Sequence, residues 1–120
     1  MKYVVLIYNN PATWEAMSEE ERDRLMGEFD AFDKELIESG EFIGGAALAD
    51  PSNTKTVRVR GGVPATTDGP FAETKEQLAG YFVIDSVSLE RAIEIAARDP
   101  NARFGAVEVR PIMDEAGTEM

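Results

Sequence analysis

The sequence contains no cysteine and no histidine. The first absence excludes disulfides and thiolate metal sites. The second removes the commonest general base, the commonest transition-metal ligand and the usual haem ligand. There is one tryptophan, Trp14. No apolar run approaches the roughly 20 residues that a membrane-spanning helix needs. The first residues read directly as a strand and lack the layout of a signal peptide. A cytoplasmic location without a membrane partner is therefore expected.

Bases are the scarce charge. Twelve Lys and Arg stand against 23 Asp and Glu, a net charge of −11. The excess is concentrated. Residues 14–39 hold ten acids and three bases, and residues 112–120 hold three acids and no base. Such a surface repels phosphate backbones, which argues against a nucleic-acid partner. At 120 residues the chain is one domain, long enough to bury a core without covalent staples. We place that domain at residues 1–112 and read 113–120 as an acidic tail that frays.

Lys2–Tyr8 is apolar at almost every position, as in a central strand. Ser18 and Glu21 make a capping box, and Leu25, Phe29, Phe32 and Leu36 set an apolar stripe at helical spacing, broadened by Met26 and Ile37. Gly40 stops that helix. Its acidic face reads as solvated, and Trp14, just before it, as a packed or partner-facing aromatic. Phe42–Leu48 is a strand in which Gly44-Gly45 signals a bulge or a close backbone approach. Thr54–Arg60 and Val63–Thr67 form a hairpin about Gly61-Gly62. Gln77–Asp85 is a long strand with Leu78, Gly80, Phe82 and Ile84 on one face. Ser88 caps a short helix expected to bury Leu89, Ala92, Ile93, Ala96 and Ala97, and Asp99-Pro100 ends it. Arg103–Arg110 is the last strand. This order of elements predicts an α+β fold: a ferredoxin-like antiparallel sheet with two main helices on one face. The other face needs cover, so a homodimer is expected.

The segment Asp68-Gly69-Pro70-Phe71-Ala72-Glu73-Thr74-Lys75-Glu76-Gln77-Leu78-Ala79-Gly80-Tyr81 is a polar turn feeding a strand. It resembles the signature of the DGPF-type branch of the YCII-related proteins. The opening strand, Thr56–Arg60 and Val107–Pro111 fit the same pattern, so the resemblance covers nearly the whole chain. It implies a dimeric α+β barrel and a family without a settled activity. Enzyme-like proposals for the wider family rest on a His-Asp pair, which a chain without histidine does not supply. Other dimeric α+β barrels are haem enzymes or cofactor-free oxygenases. The haem reading lacks its usual ligand here.

Alternation places Arg58, Arg60, Tyr81, Glu108 and Arg110 where they could share a face with the central turn. The expected site is a cleft for a small anionic molecule beside Asp68. Asp68 and Tyr81 are its candidate catalytic residues, Asp68 as base or orienting acceptor and Tyr81 as hydroxyl donor. Arg58, Arg60, Pro70, Phe71, Glu73, Lys75 and Arg110 are its candidate binding residues. No metal or other cofactor is expected. The Asp30/Asp33 and Glu73/Glu76 pairs lack a loop cage for a cation. The glycine pairs lack the spacing of a phosphate loop. A second reading is a regulatory protein-interaction module, since the resemblance carries an association with extracytoplasmic-function sigma factors. Convergence of Arg58, Tyr81 and Asp68 on an enclosed cavity would favour the ligand. A bare apolar surface would favour the partner.

Overall fold

A computed structural model describes residues 1–114 and residue 117. The expected fraying of residues 115, 116 and 118–120 lies outside the described residues. The chain runs β1 (Lys2–Asn9), α1 (Pro11–Glu15), α2 (Glu19–Glu38), β2 (Phe42–Ala47), a 3₁₀ turn (Pro51–Asn53), β3 (Lys55–Arg60), β4 (Val63–Asp68), β5 (Gln77–Asp85), α3 (Leu89–Arg98), α4 (Asn101–Phe104) and β6 (Ala106–Pro111). Four strands form an antiparallel sheet in the order β2-β5-β1-β6, the ferredoxin-like arrangement that the sequence predicts. β3 and β4 form a separate two-stranded ribbon.

Register assigns every strand residue to a face. Phe42, Ile84, Tyr3 and Pro111 make one row on the helix side, followed by Gly45, Phe82, Val5 and Val109, then Ala47, Gly80, Ile7 and Val107. The core forms here: Tyr3, Val5, Phe82 and Ile84 pack with Leu36 of α2 and with Ala92, Ile95 and Ala96 of α3. Phe32 meets Phe82 edge-on, ring centroids 5.9 Å apart.

The helix ends follow the sequence signals. Ser18 accepts a hydrogen bond from the Glu21 amide at 3.1 Å and donates to its carboxylate at 3.2 Å. Ser88 accepts from the Arg91 amide at 3.1 Å. The inward face of α3 differs from expectation. Ala92, Ile95 and Ala96 are buried, whereas Leu89, Ile93 and Ala97 are exposed. The buried stripe of α3 is therefore 92-95-96, with Ile95 in the place expected of Ile93. The last strand begins at Ala106, since Asn101–Phe104 takes a helical turn after Asp99-Pro100. Gly44-Gly45 does mark a register shift and a close approach. The neighbour approached is β5 of the same chain: a Cβ on Gly45 would lie 2.5 Å from the Tyr81 carbonyl oxygen.

The ribbon is exposed on both faces, Val57, Val59 and Val63 included. It closes through Gly61 and Gly62, both at positive φ. It helps to make the molecule flat and wide, 48 × 46 × 18 Å, with a radius of gyration of 16.6 Å. A compact domain of this length has about 14 Å.

Candidate functional site

A cavity of about 780 Å³ lies between α2 and the β2–β5 side of the sheet, open to solvent along one side. Its existence follows from small residues. The helix-facing floor positions Gly45, Ala47 and Gly80 carry one methyl group among three residues, too little volume to fill the space under α2. Leu25, Phe29, Phe32 and Leu36 form the wall, and Leu78 and Phe82 complete the floor.

Trp14 and Phe104 stand at its border. Asn10 caps α1 by accepting from the Ala12 amide at 3.0 Å, and Pro11 starts the helix. Arg22 of α2 then holds α1 in place. Its guanidinium donates to the Trp14 and Glu15 carbonyls, each at 3.0 Å, and lies 5.4 Å from the Trp14 ring centre.

The polar end of the cleft is acidic. Asp99 is only 3 % exposed. Its Oδ1 accepts from the Asn101 backbone amide at 2.9 Å and from Asn101 Nδ2 at 3.0 Å. Burial raises the Asp99 pKa above the usual carboxylate range, against the Asn101 hydrogen bonds, and the nearby Asp33 charge adds to the rise. Asp33 is raised as well, first by lost hydration and then by Asp30. Five carboxylates border the cleft (Glu15, Asp30, Asp33, Asp50 and Asp99), and no Lys or Arg does. A carboxyl whose pKa is raised holds a proton more tightly than an exposed carboxyl does. No cluster of three acids is arranged to hold a metal among the described residues.

The residues singled out in the sequence lie elsewhere; Tyr81 is at the cleft through its place on β5, and register puts its side chain on the other face of the sheet. Asp68 ends β4 on the ribbon, ion-paired to Lys55 and largely exposed. Gly69 adopts a positive φ, and the turn is tied down by Gly69 N to Thr54 O and Thr56 Oγ1 to Gly69 O, both 2.7 Å. Phe71 is 79 % exposed, and Glu73 and Lys75 are exposed beside it, with Pro70 half-buried. Gln77 organises this loop by donating to the Thr74 carbonyl at 2.8 Å. Arg58 and Arg60 belong to the ribbon.

Tyr81, Glu108 and Arg110 do share a face, the one away from the helices. Its rows are Ala46, Tyr81, Leu6, Glu108 and Gly44, Val83, Val4, Arg110. Tyr8 joins them, its phenol pKa raised chiefly by a hydrogen bond to Glu108. Arg58, Tyr81 and Asp68 therefore do not converge on one cavity.

The expected site includes neither Asp99, which the sequence shows as a helix end, nor Asp33, which it offers only as half of a cation pair with Asp30. The signal for Asp99 was present: Ala92, Ile95, Ala96 and Asp99 continue one helical stripe, so the face that buries Ile95 also buries Asp99. Asp33 follows Phe29 by four residues and flanks the apolar stripe.

This architecture is that of a ferredoxin-like α+β domain, and the chain belongs to the YCII-related family, whose domain matches residues 1–116. An uncharacterised protein of Rhizobium meliloti, R00369, is 40 % identical over 114 residues, which span 93 % of this chain and 92 % of that protein. Among solved structures, the chain resembles 5-chloro-2-hydroxyhydroquinone dehydrochlorinase, TftG, from Burkholderia phenoliruptrix AC1100, in complex with 2,5-dihydroxybenzoquinone. The TM-score is 0.55 at 12 % identity, over 99 % of this chain and 100 % of that one. At that identity the likeness concerns the fold.

Proposed function

We propose that this protein binds a small, largely apolar molecule in the cleft between α2 and the β2–β5 floor, with Asp99 and Asp33 available for proton transfer. The observation that carries this reading is a cavity of about 780 Å³ with apolar walls and a buried carboxylate at one end, the usual make-up of a small-molecule site. The solved neighbour supports it by analogy of fold alone: that enzyme holds a small ring compound. The reading moves the ligand away from Asp68, which lies on an exposed ribbon. It also replaces the anionic ligand, which a border of five carboxylates would repel.

Trp14 is the chain's one tryptophan and borders the cleft, so its emission reports occupancy. A panel of one-ring organic compounds should contain some that quench or shift Trp14 emission with half-saturation below about 1 mM, well within the range of weak specific binding. The same compounds should raise Tm, since a ligand at one hundred times its Kd adds about 2.7 kcal/mol. A panel that changes neither signal would overturn the assignment.

We further propose that the working form is a homodimer. Val4, Leu6 and Val83 are half-buried and Tyr81 exposed on a sheet face that no helix covers. A two-stranded ribbon is marginal in water by itself and gains from a neighbour to lie on. Sedimentation at micromolar concentration should give twice the mass of one chain, and Tyr81→Asp should give a single chain. Wild-type protein that sediments as one chain would refute this. The bare apolar surface of the ribbon and sheet is assigned here to a second copy of the chain, and no feature of it is specific to a sigma factor.

A further inference from the structure

We infer that the ligand of the cleft carries an ammonium group on its apolar or aromatic body, and that Asp99 and Asp33 hold that group. The inference rests on the cleft being the binding site proposed above, and it goes further by naming the chemistry of the ligand's head.

The first observation is the charge of the border. All five charged side chains there are carboxylates. The bases close by are committed elsewhere: Arg98 to Glu35 at 2.5 Å, Arg103 to Glu28, and Arg22 to the Trp14 and Glu15 carbonyls. Among the described residues, no Lys or Arg lines the cleft.

The second observation is Asp99. Both hydrogen bonds from Asn101 go to Oδ1, and no fully buried side-chain oxygen lacks a partner among the described residues, so Oδ2 keeps an edge open to solvent. A carboxylate with so little water around it gains from a cation or donor that meets its free oxygen. A ligand ammonium supplies both the charge and the protons.

The third observation is the aromatic lining. Phe29, Phe32 and Phe82 line the interior, and Trp14 and Phe104 stand at the border. Two of these rings already have guanidinium neighbours outside the cleft: Arg22 lies 5.4 Å from the Trp14 ring centre and Arg103 lies 5.3 Å from that of Phe104. Ring faces attract cations. An aromatic pocket ending in unneutralised carboxylates therefore selects an organic cation over a neutral molecule of the same shape, and rejects an anion.

The test uses three probes of matched shape on the full chain: 2-phenylethylammonium, 2-phenylethanol and 3-phenylpropionate, titrated at pH 7 with Trp14 emission and calorimetry as readouts. The ammonium should bind at least tenfold more tightly than the alcohol, and the carboxylate should bind weakest. Asp99→Asn retains Oδ1 for the Asn101 bonds and removes only the charge. It should cut the preference for ammonium over alcohol by tenfold or more. Asp33→Asn, on the more exposed group, should cut it by a smaller factor.

Equal or tighter binding of the alcohol would overturn the ammonium assignment and leave the cleft standing as a site for neutral molecules. Tightest binding of the carboxylate would overturn it too. Failure of all three probes to bind would remove the cleft and the ammonium together. A preference unchanged in both variants would show that other groups hold the cation, and the assignment to Asp99 and Asp33 would fall.

Discussion

Gly105→Ala should destabilise the protein by about 2–3 kcal/mol, as overpacking against a rigid neighbour does. Gly105 follows α4 and leads into β6, its amide bonded to the Asn101 carbonyl at 3.0 Å. A Cβ built there would lie 2.1 Å from the Tyr8 carbonyl oxygen and 3.1 Å from the Asn9 Cα. Both are backbone atoms of β1, which is paired on both sides, so neither can step aside as a flexible side chain would. Relief requires β6 to move off β1 at the Tyr8–Ala106 pair, opening the sheet beside the core. In a domain of this size the loss should lower Tm by roughly 10–15 °C. Gly27→Ala makes the control. Gly27 lies within α2 with nothing within 4 Å of a Cβ, so alanine there should stabilise by about 0.8 kcal/mol through helix propensity. Opposite signs for the two changes in urea unfolding would support the register. A Gly105→Ala protein with wild-type stability would show that β6 does not approach β1 in this way.

Arg91→Ala should cost about 2 kcal/mol at neutral pH, the scale of a charge-assisted pair whose partner is left behind. Arg91 on α3 grips Glu41, just before β2, through two hydrogen bonds: Nε to Oε2 at 3.0 Å and Nη2 to Oε1 at 2.8 Å. The Arg91 and Glu41 side chains are 31 % and 18 % exposed, so solvent screens the pair less than the surface pairs elsewhere. The contact joins residues 50 positions apart, and it fixes the sheet edge to the helix layer.

The Arg91 hydrogen bond lowers the Glu41 pKa, with smaller help from Ser39 and against some desolvation. A carboxylate depressed in the folded state contributes stability that is fully present above its unfolded value, about 4.3. That stability is lost as pH falls through the lower folded value. The difference between wild type and Glu41→Gln should therefore be constant above about pH 5 and shrink on acidification. Asp33 and Asp99 act with the other sign. Their folded pKa values are raised, so their ionisation costs stability, and that cost is relieved as pH falls towards the unfolded values. Glu41→Gln should isolate the first effect in denaturation measured from pH 3 to 7. A difference that stays constant to pH 3 would show that the pair does not hold Glu41 ionised.

Much of the fold is written in local chemistry. The Ser18 and Ser88 side chains bond within their own helix starts, so those helices can be placed from short spacing alone. Gly61-Gly62 takes positive φ because only that backbone closes the ribbon without strain. Leu78, Gly80, Phe82 and Ile84 alternate with Ala79, Tyr81 and Val83 because a strand has a period of two. That parity holds in the folded sheet. It also placed Tyr81, Glu108 and Arg110 on one side. Parity within a strand says nothing, however, about which strands are neighbours. Arg58 and Arg60 have a suitable parity and still lie apart, because β3 pairs only with β4.

The cleft belongs to the same class of long-range facts. Gly45 and Gly80 read locally as a bulge and a strand glycine. Only the pairing of Ala47 with Gly80 and of Gly45 with Phe82, under a helix from an earlier part of the chain, turns their missing side chains into a cavity. Asp99 reads locally as the end of a helix before proline. What changes its chemistry is burial, the sum of contacts from distant segments, which removes its water. Local sequence therefore determined the caps, the turns, the strand faces and the family of this protein. Tertiary structure decided where the empty volume lies and which carboxylates face it, because volume and hydration depend on which distant segments come together.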